Sequence, residues 1–516
     1  MPDFGSCAVC GSPAESRCAG CKTALYCSKE HQKQDWKTHK ILCKPPLYKE
    51  CSSPELGRYL TASRNIEGGQ TVITETPIII GPKQVTPPVC LGCMRPEPKA
   101  RCQLCKWPLC DEECPGWDAN HAIECAALVR AEKPLSFTDL SKPHAAYEAI
   151  TLLRLVLLQK KSPKKWKLIQ EMKANDLKRE PSAEEKKIVQ FLLSYVGLST
   201  WGPTWDTSEK TLHHLAAVLQ VNALDVRLPH GGEVLALYPT TSFIEHSCIP
   251  NVRIVFDPMC RMTLSACKDI KEGEHLQTMY THALWATFQR REHLHASKQF
   301  WCRCLRCADP TELGTMFGAM RCVAPDCGGF LLPTAPLKAG ADWACTKCVG
   351  RLSEKQIADL TGHLGQIVDE ALAQPTESSL KELLEKLNAI THENHFRQYA
   401  VKHSLVQLMA KSAPTKDELA EKQQLCEQLL RVTQTLDPGG ARLAIYEAVV
   451  CYELNNVLII RAQRESDEQQ QLLARAKRLL ERVVYLLRFD EHLPEGQLAA
   501  VAKKKIAEID ENLKTS

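Results

Sequence analysis

Cysteine in this 516-residue chain is zoned: of 26 residues, 14 lie in 1–125, none in 126–247, ten in 248–348 and two beyond. Within the zones most come as close pairs. Paired thiols are either a disulfide scaffold or metal ligands, and the compartment decides between the two. Residues 1–6 carry neither the basic nor the apolar segment of a secretory signal. No apolar run approaches the roughly 18–20 residues that cross a bilayer, the best being the short stretch at 150–158. The expectation is a soluble protein of a reducing compartment, without membrane contact, whose cysteine pairs bind zinc.

The first zone opens with Cys7-x2-Cys10, Cys18-x2-Cys21, Cys27-x3-His31 and His39-x3-Cys43, enough donors for two tetrahedral ions. A CxxC pair reaches one ion from a tight turn, and an x3 spacing puts two side chains on one face of a helix turn, so the pairs after Tyr26 are expected in helix. The expected arrangement is interleaved, with Cys7, Cys10, Cys27 and His31 on one ion and Cys18, Cys21, His39 and Cys43 on the other, although spacing alone does not fix it. The same order of four pairs recurs at Cys90-x2-Cys93, Cys102-x2-Cys105, Cys110-x3-Cys114 and His121-x3-Cys125, an internal repeat.

Further on, Cys302-x-Cys304-x2-Cys307 is one ligand short of a tetrahedron, and Cys322-x4-Cys327 with Cys345-x2-Cys348 reads as a zinc ribbon. Cys51, Cys260, Cys267, Cys426 and Cys451 are left over and are expected to be single buried thiols. The net charge of +4 gives no reason to expect a nucleic-acid surface built on phosphate neutralisation.

The stretch 126–220 holds amphipathic segments at 147–158 and 186–195, consistent with a helical insert. The basic run Lys160 to Lys167 is open to three readings: a nuclear address, a nucleic-acid patch or a solvated connection between helices. Residues 57–62 and 71–75, flanked by Gly-rich turns, are expected to form a hairpin, and 252–257 and 262–267 alternate in the same way. From about Ser353, apolar residues at helical spacing such as Leu380, Leu383, Leu384 and Leu387 predict successive helices broken at Pro414 and Pro438-Gly439-Gly440.

With Tyr26-Cys27-Ser28, Gln32, Asp35-Trp36 and His39, the first cysteine module resembles a MYND finger, and the second resembles it more loosely. The resemblance implies protein interaction, with Gln32 and Trp36 forming a groove for proline-rich, corepressor-type partners. An indole face beside an amide suits a polyproline II ligand; Trp36 read instead as a cover over the zinc core stays open. In the second module Pro115 follows Cys114 and Trp117 comes early, so peptide binding is assigned to the first.

Leu237-Tyr238-Pro239, Phe243-Ile244-Glu245-His246-Ser247-Cys248-Ile249-Pro250-Asn251, Gly273-Glu274, Tyr280 and the Cys302 cluster resemble a SET domain. With a finger inserted after the first strands, the whole resembles the SMYD family of protein-lysine methyltransferases over about 57–307, the extra N-terminal finger being similar to its arthropod members. The resemblance implies S-adenosylmethionine as cofactor and a histone or other protein as substrate. It gives Tyr280 as the catalytic hydroxyl that orients the lysine amine, and Arg58, Tyr59, Asn222, Glu245, His246 and Phe300 as cofactor or pocket residues. It also gives Cys248 as the fourth ligand beside Cys302, Cys304 and Cys307, which brings the expectation to about six Zn2+. An apolar channel matters because the attacking lysine must be neutral, against a free pKa of about 10.4.

Four positions depart from that pattern. Tyr59 stands at a glycine position, Glu245 replaces an Asn, Leu224 a channel Phe, and Lys298 a second Tyr. They keep a second expectation alive, a catalytically weak SET and MYND scaffold that recruits corepressors such as histone deacetylases in transcriptional repression.

The expected fold is an α+β multidomain chain: an N-terminal MYND finger (1–46), a first SET part (47–89), a second MYND-like finger (90–125), a helical insert (126–215), the SET core (216–300), a post-SET and ribbon region (301–350) and an antiparallel, TPR-like helical array (351–516). A monomer of nucleus and cytoplasm is expected.

Overall fold

The cysteine pairs shape the backbone locally. The computed structural model describes residues 7–515 except 13, 15, 22, 23, 84–86, 112, 132–134, 136, 138, 175–179, 230, 410–412 and 491; residues 1–6, read above for a secretory signal, lie outside the described residues. Cys7-x2-Cys10 closes a turn in which the Gly11 N–H donates to the Cys7 carbonyl at 2.9 Å. Strands β1 (Ser16–Arg17) and β2 (Leu25–Tyr26) pair antiparallel, and α1 (Lys29–Leu42) follows. Spacing predicts both x3 pairs inside helical turns. Instead, α1 starts at Ser28, whose hydroxyl accepts from the His31 N–H at 3.2 Å, so Cys27 precedes the cap and Cys43 follows the last turn. Serine is a strong N-cap, and here it sets the helix start between the two ligands.

Strands β3 (Tyr48–Ser53) and β4 (Gly57–Ala62) form a hairpin with Tyr48 opposite Ala62. The hairpin expected between 57–62 and 71–75 does not form. β5 (Thr71–Glu75) pairs with a distant strand, because the chain after β4 crosses over, Ile66 bridging to Ile270, and leaves β5 beside residues 262–266. After β6 (Ile79–Pro82) comes the second finger, with β7 (Ala100–Arg101), β8 (Pro108–Leu109), a π-helical turn at Trp117–His121 and α2 (Ala122–Val129).

The insert comprises α3 (Ala145–Lys161), α4 (Pro163–Gln170), α5 (Ala183–Ser194) and α6 (Glu209–Asn222). The expected amphipathic character of 147–158 is corrected: nearly all of that stretch is buried, including Thr151 and Arg154, because α2, α4, α5, α6 and β6 surround α3. In the basic run, Lys160 lies over the Trp205 ring at 5.6 Å and Ser162 joins α3 to α4.

Strands β9 (Leu224–Arg227) and β10 (Glu233–Leu237) complete a sheet in the order β6-β10-β9. β11 (Glu245–His246) runs parallel to the later β14 (Gln277–Thr278), while β12 (Val252–Phe256) and β13 (Met262–Ala266) form the hairpin that receives β5. Then come α7 (Thr287–Lys298), α8 (Leu305–Ala308) and a four-stranded ribbon of β15 (Met320–Arg321), β16 (Phe330–Pro333), β17 (Trp343–Cys345) and β18 (Arg351–Leu352).

Helices α9 (Glu354–Ala373), α10 (Glu377–Asn388), α11 (Phe396–Leu408), α12 (Lys416–Leu436), α13 (Ala444–Arg464), α14 (Gln469–Leu487) and α15 (Gly496–Thr515) pack on one another in succession. Leu380, Leu383, Leu384 and Leu387 are buried as their spacing predicts. This array is bolted to the strands: buried Arg253 on β12 donates to Asp490 at 2.5 Å and to the Leu486 carbonyl. A Cβ at Gly439 would stand 2.3 Å from that of Cys267, so only glycine fits there. Among the described residues no helix is long and apolar enough to cross a membrane. Cys260, Cys267, Cys426 and Cys451 are buried as expected, whereas Cys51 is only half-buried, its Sγ 3.5 Å from Thr61 Oγ1.

Candidate active site and metal centres

The donor atoms of five quartets each lie within 4.8 Å of one another: Cys7, Cys10, Cys27 and His31; Cys18, Cys21, His39 and Cys43; Cys90, Cys93, Cys110 and Cys114; Cys102, Cys105, His121 and Cys125; and Cys248, Cys302, Cys304 and Cys307. In the ribbon, Cys322 and Cys348 are 3.5 Å apart, as are Cys327 and Cys345. Four soft donors at this spacing suit a tetrahedral zinc.

The second finger is tied inward through a chain that spacing does not announce. His121 Nε2 lies 3.3 Å from Cys105 Sγ, and its Nδ1 lies 3.2 Å from Glu124, one helix turn on. Arg154 of α3 holds Glu124 at 2.6 and 3.0 Å and donates to the carbonyls of Ile80 and Leu91. Only the His121-x2-Glu124 spacing could have signalled this; Arg154 left no sequence trace.

Three segments meet around Tyr280. Residues 245–251 run beside 275–280: the Ser247 N–H donates to the Thr278 carbonyl at 2.8 Å, and Asn251 exchanges bonds with His275 and Gln277. β4 borders the same place, Leu276 N–H reaching the Leu60 carbonyl at 2.8 Å. Buried Glu75 pins the approach by accepting from the backbone N–H groups of Thr240 and Thr241 at 3.1 Å.

His246, Tyr280 and Phe300 come together: the His246 ring lies 5.4 Å from Tyr280 and 5.7 Å from Phe300. The Tyr280 N–H donates to His246 Nδ1 at 3.0 Å, which leaves the proton on Nε2, 3.3 Å from Cys248 Sγ. The Tyr280 hydroxyl donates to the Ile244 carbonyl. Burial first, then the Glu245 charge, pushes that phenol well above its ordinary pKa, so it stays protonated. The Cys248 thiol is driven well below its usual range, first by hydrogen bonding from Cys302, then from Cys304 and Cys307.

Arg58 and Asn222 stand outside that cluster. Arg58 stacks on Phe243 at 4.1 Å and pairs loosely with Glu171 at 3.9 Å. The Asn222 amide donates to the carbonyls of Lys173 and Val218 at 2.8 and 2.7 Å. Lys298, whose Nζ is 5.9 Å from the Tyr280 ring, donates to the Gln220 and Val221 carbonyls at the end of α6, where a cation meets the negative helix terminus. Burial lowers its pKa. Leu224 is the first residue of β9, opposite Ala236.

The sequence reading missed His275. It bonds Glu245 through Nδ1, and Tyr59 stacks on its ring with centroids 4.6 Å apart. Glu245 was itself the signal, because a carboxylate at a covered position demands a partner. Trp36 is 46% exposed on α1, its ring 6.0 Å from that of His39, and Gln32 is half-buried one turn before it.

These features define a split domain clasped around one tyrosine and interrupted by a zinc finger. The MYND finger family matches residues 7–43 and the SET domain family residues 57–281. The SET domain-containing protein SmydA-8 of Drosophila melanogaster is similar, at 28% identity over 59% of this chain and 65% of its own length. The chain thus spans about two thirds of that relative. The histone-lysine N-methyltransferase ASHR1 of Arabidopsis thaliana is 23% identical over 65% of this chain and 71% of its own length. Human histone-lysine N-methyltransferase SMYD3 is 40% identical over 73 residues, 14% of this chain and 17% of its own. The chain carries a MYND finger and a SET domain and is similar to proteins that combine the two.

Proposed function

We propose that this protein is an S-adenosylmethionine-dependent protein-lysine N-methyltransferase, with a histone or another protein as substrate and about six structural zinc ions. The observation that carries the reading is the Tyr280 phenol, protonated and donating to the Ile244 carbonyl while the Tyr280 backbone N–H donates to His246, inside the clasp of 245–251 and 275–280. The residues that come together fit the cofactor's chemistry: a carboxylate at Glu245 for an ammonium and the Phe300 face for a purine, while Arg58 stays on Phe243 and Glu171. S-adenosylmethionine, when bound, supplies an electrophilic methyl group on sulfur.

The chain's own residues do the rest. A phenol that donates to a backbone carbonyl keeps its lone pairs for the N–H of an incoming amine, and so orients it. The apolar Phe300 face, on the same His246 ring as Tyr280, disfavours an ammonium, releasing the amine lone pair for in-line attack. His275 Nδ1 hydrogen-bonds the Glu245 carboxylate and orients it. The Gln32 and Trp36 pair fits a proline-rich partner.

A second reading, a weak or inactive scaffold in repression, is favoured by the Lys298 cation beside the Tyr280 ring. Calorimetry of S-adenosylmethionine with the zinc-loaded chain, followed by methyl incorporation into a histone mixture, tests the proposal. One-to-one binding with incorporation is expected; binding absent in the folded chain would leave the scaffold.

A further inference from the structure

Arg290 on α7 is fully buried. Its Nε donates to Cys248 Sγ at 3.3 Å and its Nη2 lies 3.6 Å from Cys307 Sγ, so one guanidinium addresses two thiols of the same quartet. Its Nη1 donates to Glu312 at 2.7 Å and to the Trp285 carbonyl, and Nη2 also reaches Thr287 Oγ1 at 2.9 Å. Glu312, 3% exposed, is shared with Arg306, whose Nε donates to the same oxygen at 2.9 Å. One Nη of Arg306 is buried without a partner. Two arginines on one carboxylate is a costly arrangement in a core unless a further negative charge lies nearby.

Four thiolates on a divalent ion supply that charge. Such a centre carries a net charge of about −2, and burying it is unfavourable unless donors and cations surround it. The Arg290, Glu312 and Arg306 triad has a net charge of +1, and the planar fork of arginine fixes two donors where lysine would offer a single point charge. His246 Nε2 also lies 3.3 Å from Cys248 Sγ.

We infer that Arg290 is a positioning residue of the Cys248, Cys302, Cys304 and Cys307 centre: it hydrogen-bonds two of the thiolates, offsets their charge and, through the Glu312 carboxylate it shares with Arg306, fixes α8, which bears Cys307. The inference rests on the reading of this quartet as a zinc site. Outer partners of this kind hold ligands in place and slow metal loss.

The test is site-resolved alkylation of the zinc-loaded full chain in the presence of a chelator, with cysteine-containing peptides quantified by mass spectrometry. Wild-type protein should protect Cys302 and Cys307. Arg290→Met should expose them on the order of tenfold faster, with Cys322 and Cys327 of the ribbon unchanged as internal controls. Arg290→Lys, which keeps the charge and the Glu312 pair, should fall between. Equal protection in wild type and Arg290→Lys would overturn the two-pronged role, even if Arg290→Met fails to fold. Exposure of all six centres together in Arg290→Met would overturn the local role. Wild-type Cys302 and Cys307 that are unprotected by zinc would instead overturn the metal reading of the quartet.

Discussion

The backbone N–H of Tyr280 donates to His246 Nδ1 at 3.0 Å. That bond fixes the imidazole tautomer and turns Nε2–H toward Cys248, so a single ring joins the tyrosine's backbone to a thiol of the post-SET quartet. Glu245, adjacent in sequence, faces His275, and Ile244 receives the phenol. The proposed metal centre and the backbone around Tyr280 are thereby one mechanical unit. Replacing Cys248 by Ser should remove one equivalent of zinc by native mass spectrometry and weaken S-adenosylmethionine binding by about tenfold or more. Loss of the zinc with calorimetric affinity unchanged would separate the two.

Tyr280→Phe removes one hydroxyl and leaves the ring against His246. Methyl incorporation should fall by about a hundredfold or more, in the range for removal of a group that acts on the reacting amine. Cofactor affinity should stay within about twofold, because the hydroxyl's partner is the Ile244 carbonyl. Activity surviving the substitution would take Tyr280 out of its proposed role.

Much of this site was legible because its residues are chemically expensive. The Cys and His pairs announce their quartets, since a helix turn or a tight turn fixes ligand spacing locally. The pairing of β5 was not legible: alternation in 71–75 says that a strand forms, and only the crossover through Ile66 and Ile270 decides its partner. Arg154, Arg290 and His275 were hidden for the same reason, because each meets its partner across more than 20 residues of chain. The helix of 147–158 misled because a polar residue such as Arg154, in the middle of an apolar run, mimics a solvent face.

Lys298 places a cation near the ring that faces the amine. Methyl transfer turns the neutral amine into a cation, and a second unit charge within roughly 6–8 Å opposes that by about 2–3 kcal/mol at an effective dielectric of about 20, before solvent screening. Lys298→Tyr should therefore raise methyl incorporation about tenfold at neutral pH. Burial lowers the Lys298 pKa, so the wild-type handicap should shrink as pH rises, and the two rates should converge. A variant no faster than wild type, with unchanged circular dichroism, would show that the cation does not limit the reaction.

Trp36 is 46% exposed on a helix whose start is set by Ser28 rather than by the indole. Trp36→Ala should weaken binding of a proline-rich peptide by about tenfold, as loss of an aromatic anchor does, while the finger keeps both zincs. Equal affinity in a zinc-loaded variant would reduce Trp36 to a partial cover over His39.

His395 is fully buried at the start of α11, and its Nδ1 accepts from the Arg397 N–H at 3.2 Å, capping the helix. Burial first, then the charges of Arg397 and His392, pulls its pKa from 6.5 down to about 3. Between those values the unfolded chain binds a proton that the folded one refuses, so stability rises with pH across this window. The contribution present above pH 6.5 is thus lost as the pH falls toward 3, at up to about 1.4 kcal/mol per pH unit. Asparagine is a good N-cap without that proton. Hydrogen-exchange protection of the α11 amides, corrected for intrinsic rates, should therefore drop between pH 7 and pH 4.5 in wild type and drop markedly less in His395→Asn. Identical losses in the two proteins would assign the acid sensitivity of α11 to other groups.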